Sequence, residues 1–225
     1  PPFVSVHPSK GHLTDSLLHR LHERHRRRHP GAVEVPHLCH RLDRETSGLL
    51  VVALTSIAYD GLRRAFEGRE VRKFYWAICD GHPRDSSGVI KLAIAESDRQ
   101  EGGGPQKLAR ISRTGKPSIT AYRVLSRSEA ASLIEARPIT GRLHQVRVHL
   151  GSIELSIVGE TLYVPKRKQL SKLPPEAPPL RRQALHAERL EITHPVTKER
   201  IYFESPWPAD MQALLDWLRK ERPGG

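Results

Sequence analysis

The residues best placed to do chemistry lie in one short run, His40-Arg41-Leu42-Asp43-Arg44-Glu45-Thr46-Ser47-Gly48. It sets one carboxylate, Asp43, between the guanidinium groups of Arg41 and Arg44, and leads at once into Leu49-Leu50-Val51-Val52-Ala53-Leu54. That apolar stretch is uncharged and partly β-branched, so it is expected to form a buried strand. A charged loop running straight into a core is a rigid mount for a reactive side chain. A carboxylate held there can serve as a nucleophile, a general base or a metal ligand. It can equally pin the loop by pairing with Arg41 or Arg147. Metal ligation has little support, because no second acidic cluster stands at useful spacing. Glu45 is too near in sequence to oppose Asp43 as the second carboxylate of a glycosidase-type site. A Cys39-His40 nucleophile pair would require adjacent residues to face each other, and no motif surrounds them.

The elements that must position this loop follow from periodicity and caps. Residues 3–7 read as a partial strand. Thr14 or Asp15 can cap a helix with Leu17, Leu18 and Leu21 on one side, a basic far half over 22–29, and Pro30-Gly31 as its stop. Its histidines, His19, His22, His25 and His29, suit a solvated, phosphate-facing surface better than a metal site, since no carboxylate or thiolate cluster accompanies them. Thr55 or Ser56 opens a second helix carrying Tyr59, Leu62, Ala65 and Phe66 on one stripe, with Gly68 as its stop. Residues 71–79 form a strand with Lys73, Tyr75, Ala77 and Cys79 on one face. A further strand is expected over 89–95, a mobile Gly-rich loop over 97–116, and adjacent strands over 118–125 and 131–137. Residues 142–150 suggest a helix with Thr140 near its cap and Leu143, Val146 and Leu150 as its stripe, leaving His144, Arg147 and His149 to point elsewhere. Residues 166–179 read as a basic, then proline-rich linker. A hairpin over 184–192 and 199–203 precedes an amphipathic helix within 206–220 with Met211, Leu214, Leu215 and Leu218. The expected class is α+β with a mixed, mainly antiparallel sheet flanked by helices.

Charge is the strongest compositional signal. Lys and Arg total 37 against 25 Asp and Glu, a net charge of +12 with pI near 10.1. Such an excess attracts polyanions, and nucleic acid is the leading partner. Aromatic residues make up only 5% of the chain, too few for a generic stacking platform for single strands. No stretch approaches the roughly 20 apolar residues that span a bilayer, so no membrane partner is expected. The two cysteines, Cys39 and Cys79, make neither a disulfide framework nor a recognisable metal pair, and free thiols suit a reducing cytoplasm. A monomer is expected.

The run from His40 to Gly48 resembles the signature of the RluA-type pseudouridine synthases. Other stretches resemble that family's motifs in family order: Val6-His7-Pro8, Lys73-Phe74-Tyr75-Trp76-Ala77, and Thr140-Gly141-Arg142-Leu143-His144-Gln145-Val146-Arg147-Val148-His149. Arg182-Gln183-Ala184-Leu185-His186-Ala187, His194-Pro195 and Pro206-Trp207-Pro208 resemble its C-terminal pattern. The resemblance implies the pseudouridine synthase catalytic fold over 1–225, with a bent sheet crossed by the active-site cleft, and isomerisation of uridine to pseudouridine in structured RNA. Ribosomal RNA is the default substrate and transfer RNA the alternative. It implies that Asp43 is the catalytic carboxylate, that Tyr75 stacks beneath the target base, and that Arg147 pairs with Asp43. Arg41 would fill the space left by the flipped uridine, and Arg142, His144 and Gln145 would bind substrate. No metal or cofactor is implied, since substrate and product are isomers. The basic runs 22–28 and 166–172 are candidates to grip RNA phosphates.

Two features depart from the family pattern. Where it usually has Gly-His-Pro-Ile-Val-Gly-Asp before a tyrosine, this chain has Glu154-Leu155-Ser156-Ile157-Val158-Gly159-Glu160, then Tyr163. No S4-like RNA-binding module precedes the motifs, so the chain reads as a catalytic domain with its leading edge trimmed. A non-catalytic RNA binder on the same fold, or a hydrolase releasing free uracil, would be the competing readings.

Overall fold

A computed structural model describes residues 1–8, 14–101, 104–164 and 173–220. In chain order the elements begin α1 (Leu17–Arg28), β1 (His37–Leu38), β2 (Ser47–Gly48), β3 (Val52–Ala53), α2 (Ser56–Glu67), β4 (Arg72–Asp80) and β5 (Ser87–Lys91). They continue β6 (Ile94–Glu101), β7 (Gly104–Ile111), β8 (Ile119–Arg127), β9 (Ala131–Pro138), α3 (Gln145–Ser152), β10 (Leu185–Thr193), β11 (Arg200–Glu204) and α4 (Ala209–Lys220). This is the α+β class with largely antiparallel pairing. The chain divides into two compact units, Pro1–Arg72 with Ala187–Ser205, and Lys73–His186 with Pro206–Gly225.

In the first unit, α1 is capped by Ser16, whose hydroxyl accepts the His19 N–H, rather than by Thr14 or Asp15. The strand expected over 3–7 does not form. The first N–H groups of a helix lack intrahelical acceptors, and here the Ser5 and Val6 carbonyls accept from Leu17 and Leu18, which commits that backbone to α1. No residue of α1 is fully buried. Its histidines are not all equally solvated: His22 Nε2 lies 2.8 Å from the Pro36 carbonyl, and His25 packs 4.9 Å from the ring of His29, which is itself exposed. Helix α2 matches its pattern, with Thr55 accepting from Ala58 N–H and Leu62 buried among Ala53, Val71, Leu190 and Ile192. Gly68 caps it at an ordinary φ of −70°, and Arg69 takes the left-handed conformation instead.

The apolar stretch after the charged loop is not one strand. It holds only β3, paired antiparallel with β1, and Leu54 is exposed. The interruption begins at Gly48, where φ is +112° and a Cβ would stand 2.2 Å from the Ala187 carbonyl oxygen. Leu49 N–H donates to that same oxygen. The chain therefore pairs with β10 through β2, at contact distance from the Ala187 backbone, before it extends again at β3.

The second unit is built on β4, β9, β8 and β5, each antiparallel to the next, with a register irregularity between Val124 and Ser126. Ala77, Ile78 and Cys79 of β4 and Ile134 of β9 are buried with Val146 and Leu150 of α3 and with Met211, Leu214, Leu215 and Leu218 of α4. The strand expected over 89–95 is two strands, β5 and the start of β6. The loop expected over 97–116 is largely the β6–β7 hairpin, in register from Ile94↔Ile111 to Glu101↔Gly104. Its charged residues read as a loop, but Ile94 and Ala109 anchor it beside Val148 and Tyr163. Of the linker expected over 166–179, residues 166–172 lie outside the described residues, whereas Leu173 and Ala177 pack against the main core. Among the described residues no helix is long and apolar enough to cross a membrane.

Helix α3 starts three residues later than its apolar stripe suggests, and all of Gln145 to Leu150 is buried. It has no free face. Thr140 does not cap it; the hydroxyl accepts Ile119 N–H and donates to Gln145 Oε1. His149 is enclosed, with Nε2 donating to the Leu92 carbonyl and Nδ1 accepting from Thr120. Burial lowers its pKa below 6.5, against a smaller opposing effect of the Leu92 hydrogen bond. The folded state then binds fewer protons than the unfolded chain as pH falls below 6.5, so His149 costs stability on acidification and none above it. Thermal melts from pH 8 to pH 5 are expected to show Tm falling below about pH 6.5, with a shallower fall in His149→Gln.

Candidate active site

In the first unit, the loop bearing Asp43 is fixed at both ends. His40 Nε2 accepts the Val51 N–H at 2.9 Å, and its ring stacks on Phe66 at 4.7 Å. At the far end Thr46 and Ser47 are buried and Gly48 lies against Ala187. Between these anchors the Asp43 carbonyl accepts Thr46 N–H at 2.9 Å, closing a turn over Arg44 and Glu45. Phe3 N–H donates to the Arg44 carbonyl, tying in the Val6-His7-Pro8 segment. Asp43 is half-buried and Arg41 exposed. Partial burial and then the Arg41 charge lower the His7 pKa, so Arg41 stands close to that imidazole.

In the second unit, Tyr75 sits on β4 opposite Ala136 of β9 and packs against the main core. Arg147 is enclosed in α3, where Nε and Nη2 hold the two carboxylate oxygens of Glu160 at 2.6 and 2.8 Å. The side chains of this pair are 5% and 1% exposed, and Arg147 also lies 5.1 Å over the Tyr163 ring. Burial alone would raise the Glu160 carboxyl. The hydrogen bonds and charge of Arg147, with the N–H groups of Leu162 and Tyr163, outweigh it and hold the pKa below 4.5. A buried guanidinium is thus fixed in plane and rotamer. Tyr163 braces the same turn, its hydroxyl accepting Ala109 N–H and bonding His144 Nδ1. His144 itself stands in the left-handed region, φ 48°, just ahead of α3.

Gln145 uses all of its polar capacity within the protein. Its amide donates to the Ile119 carbonyl and Thr120 Oγ1, and its oxygen accepts from Thr140 and from Arg142 N–H. That makes it a clamp on the turn before α3, not a donor aimed at a ligand. Arg142 differs: its Nε is buried and has no hydrogen-bond partner.

In the altered segment 154–160 one glycine is kept where the backbone requires it and another position is strained. Gly159 has φ +78°, and a Cβ there would meet the Arg182 carbonyl oxygen at 2.1 Å, so only glycine fits. Glu160 retains an acid next to it. Glu154, where the family has glycine, is forced to φ +63°. A side chain in that region costs about 1 kcal/mol, so Glu154→Gly is expected to raise Tm by roughly 2–4 °C in a thermal melt.

The C-terminal motif residues hold the scaffold. Arg182 is buried, chelates Asp210 of α4 at 2.7 and 2.8 Å and donates to the Leu185 carbonyl. Trp207 stacks on Trp76 at 4.1 Å, and Pro195 covers Gly61 of α2. Among the described residues no three His, Cys, Asp or Glu side chains gather as a metal site would require.

The model of the RNA pseudouridylate synthase family matches residues 1–152, a span that includes Asp43, Tyr75 and Arg147. The chain belongs to that family. Among its relatives, ribosomal large subunit pseudouridine synthase D of Zymomonas mobilis is 38% identical over 97% of this chain and 68% of its own length. The protein of the same name from Neisseria meningitidis is 37% identical over 98% of this chain and 58% of its own length. The solved structure of human RNA Pseudouridylate Synthase Domain Containing 4 covers 97% of this chain, itself covered to 87%, with a TM-score of 0.75 and 29% identity. As an RluA-type RNA pseudouridine synthase this chain is an isomerase that acts on RNA. Glu160 and Tyr163, which brace Arg147, lie beyond the matched span. In the sequence they stood out only as part of a deviant segment, because nothing in a separation of 13 residues reveals an ion pair.

Proposed function

We propose that this pseudouridine synthase isomerises uridines of large-subunit ribosomal RNA, with Asp43 as the reacting carboxylate. The observation that carries the assignment is the Asp43 loop, a half-buried carboxylate on a turn locked by His40 and Gly48. A fixed, partly desolvated carboxylate is pre-organised for attack or proton abstraction. The reaction breaks the ribose C1′–N1 bond and joins C1′ to C5; C5 loses a proton and N1 gains one, with no change in redox state. Tyr75 stacks on the displaced base and assists the proton at C5. Arg147, held by Glu160, supplies a fixed cation to the same chemistry. Arg41, exposed on its loop, takes the place of the flipped uridine in the stack. Helix α1, carrying Arg20, Arg24, Arg26, Arg27 and Arg28 with no fully buried residue, grips RNA phosphates.

The relatives named for the ribosomal large subunit support ribosomal RNA over transfer RNA. The test is to incubate the purified chain with unmodified large-subunit rRNA transcript and map products by carbodiimide primer extension. Carbodiimide stops at discrete uridines are expected. Release of free uracil without such stops would overturn the isomerase assignment for Asp43, and modification of transfer RNA alone would overturn the substrate.

A further inference from the structure

We infer that Lys73 and Arg142 together form the receptor for one RNA phosphodiester in the second unit. The inference rests on the reading of this chain as an enzyme that grips RNA; it narrows the substrate-binding role implied for Arg142 to a phosphate contact and adds Lys73 to it. Lys73 precedes Tyr75 by two residues on β4, so both side chains leave the same face of the strand. Its ammonium lies against the turn ahead of α3, where a Cβ on Gly141 would stand only 3.4 Å from Nζ. The side chain is half-buried, and burial alone lowers its pKa. No carboxylate, carbonyl or hydroxyl among the described residues hydrogen-bonds or pairs with it. On the residue after Gly141, Arg142 Nε is buried without an acceptor, although the Arg142 backbone N–H is satisfied by Gln145.

The contrast within this unit carries the argument. Its two most enclosed guanidinium groups, Arg147 and Arg182, are each chelated by a carboxylate, Glu160 and Asp210. Buried cationic donors are ordinarily matched in this way, because an unpaired one loses its hydration without return. A buried guanidinium nitrogen without an acceptor on Arg142, beside a half-buried ammonium that reaches from β4 to the neighbouring Gly141, marks an acceptor that arrives with the ligand. A phosphodiester fits, with a single negative charge and two non-bridging oxygens, one for the ammonium and one for the guanidinium. Gly141 keeps the approach to Nζ clear of a side chain.

The test uses the full chain, with Lys73→Met, Lys73→Arg, Arg142→Gln and the Lys73→Met/Arg142→Gln double variant. Binding of unmodified large-subunit rRNA transcript is titrated over a range of NaCl concentrations, and each variant is melted. Lys73→Met is expected to weaken binding about tenfold and to flatten the log Kd against log salt slope by about 0.7–0.9. The same substitution is expected to raise Tm, because it removes a desolvated, unpaired charge. Lys73→Arg retains the slope, and the double variant flattens it by little more than one contact, since both cations serve one phosphate. Unchanged affinity and slope in Lys73→Met would overturn the inference. A lowered Tm in that variant would also do so, by making Lys73 a structural residue. A wild-type chain that binds the transcript without making pseudouridine would refute the catalytic assignment alone, and the slopes would still decide the phosphate contact.

Discussion

Asp43→Asn is expected to abolish pseudouridine formation, by roughly three orders of magnitude or more, while fold and RNA binding persist. The substitution replaces one carboxylate oxygen by an amide nitrogen of nearly the same shape. It removes the charge and the lone pair that attack or proton abstraction requires. The loop also has anchors that do not use that oxygen: the Asp43 carbonyl accepts Thr46 N–H, His40 is anchored on Val51 and Phe66, and Gly48 rests on Ala187. The measurement is single-turnover conversion of [5-³H]uridine rRNA by tritium release, beside Kd and Tm for the same preparation. Turnover within a few fold of wild type would remove Asp43 from the chemistry. Activity lost together with Tm and RNA affinity would make it the loop-pinning residue that its flanking arginines also allow.

The sequence made much of this architecture legible, and the exceptions share a cause. Helices α2 and α4 and the strands β4, β8, β9, β10 and β11 follow local periodicity and caps that the chain writes within a few residues. The misread segments are those whose backbone bonds go to distant partners. Residues 3–7 serve the first turn of α1 and the Arg44 carbonyl, not a strand. The run after Gly48 is interrupted by the carbonyl of Ala187, more than a hundred residues away. The β6–β7 hairpin is charged enough to read as loop, yet it is anchored by two buried residues, Ile94 and Ala109. At the candidate site, resemblance to the family's motifs pointed to Asp43, Tyr75 and Arg147, whereas the roles of their neighbours depend on contacts made across the fold. Gln145 turned out to have its valences filled inside the protein, and Arg142 to have one open. Glu160, a departure from the family pattern in the sequence, is in the fold the carboxylate that chelates Arg147.

That chelate makes Glu160→Leu the second variant of large expected effect. Removing one member of a buried ion pair strands the other, at a cost of about 3–5 kcal/mol. For a chain of this size the loss corresponds to a Tm lower by roughly 6–20 °C. Arg147 would also lose its fixed plane, and the Leu162 N–H would lose its acceptor. Turnover is therefore expected to fall further than unfolding explains when it is assayed well below the variant's Tm. Glu160→Asp tests the geometry separately. It restores the acid that the family pattern carries beside Gly159, keeps the charge and shortens the reach by one methylene. Most of the stability and activity should return, because Gly159 and the Arg182 carbonyl fix the backbone independently of that side chain. Acid melts give an orthogonal reading. The Glu160 carboxyl is held below 4.5, so its contribution is complete above that pH and is lost as pH falls through the folded-state value. Wild type should lose stability on acidification below about pH 4.5, and Glu160→Leu should lose less over the same range. Equal acid slopes in the two proteins, or a leucine variant as stable as wild type, would mean that the Arg147–Glu160 pair does not hold this turn.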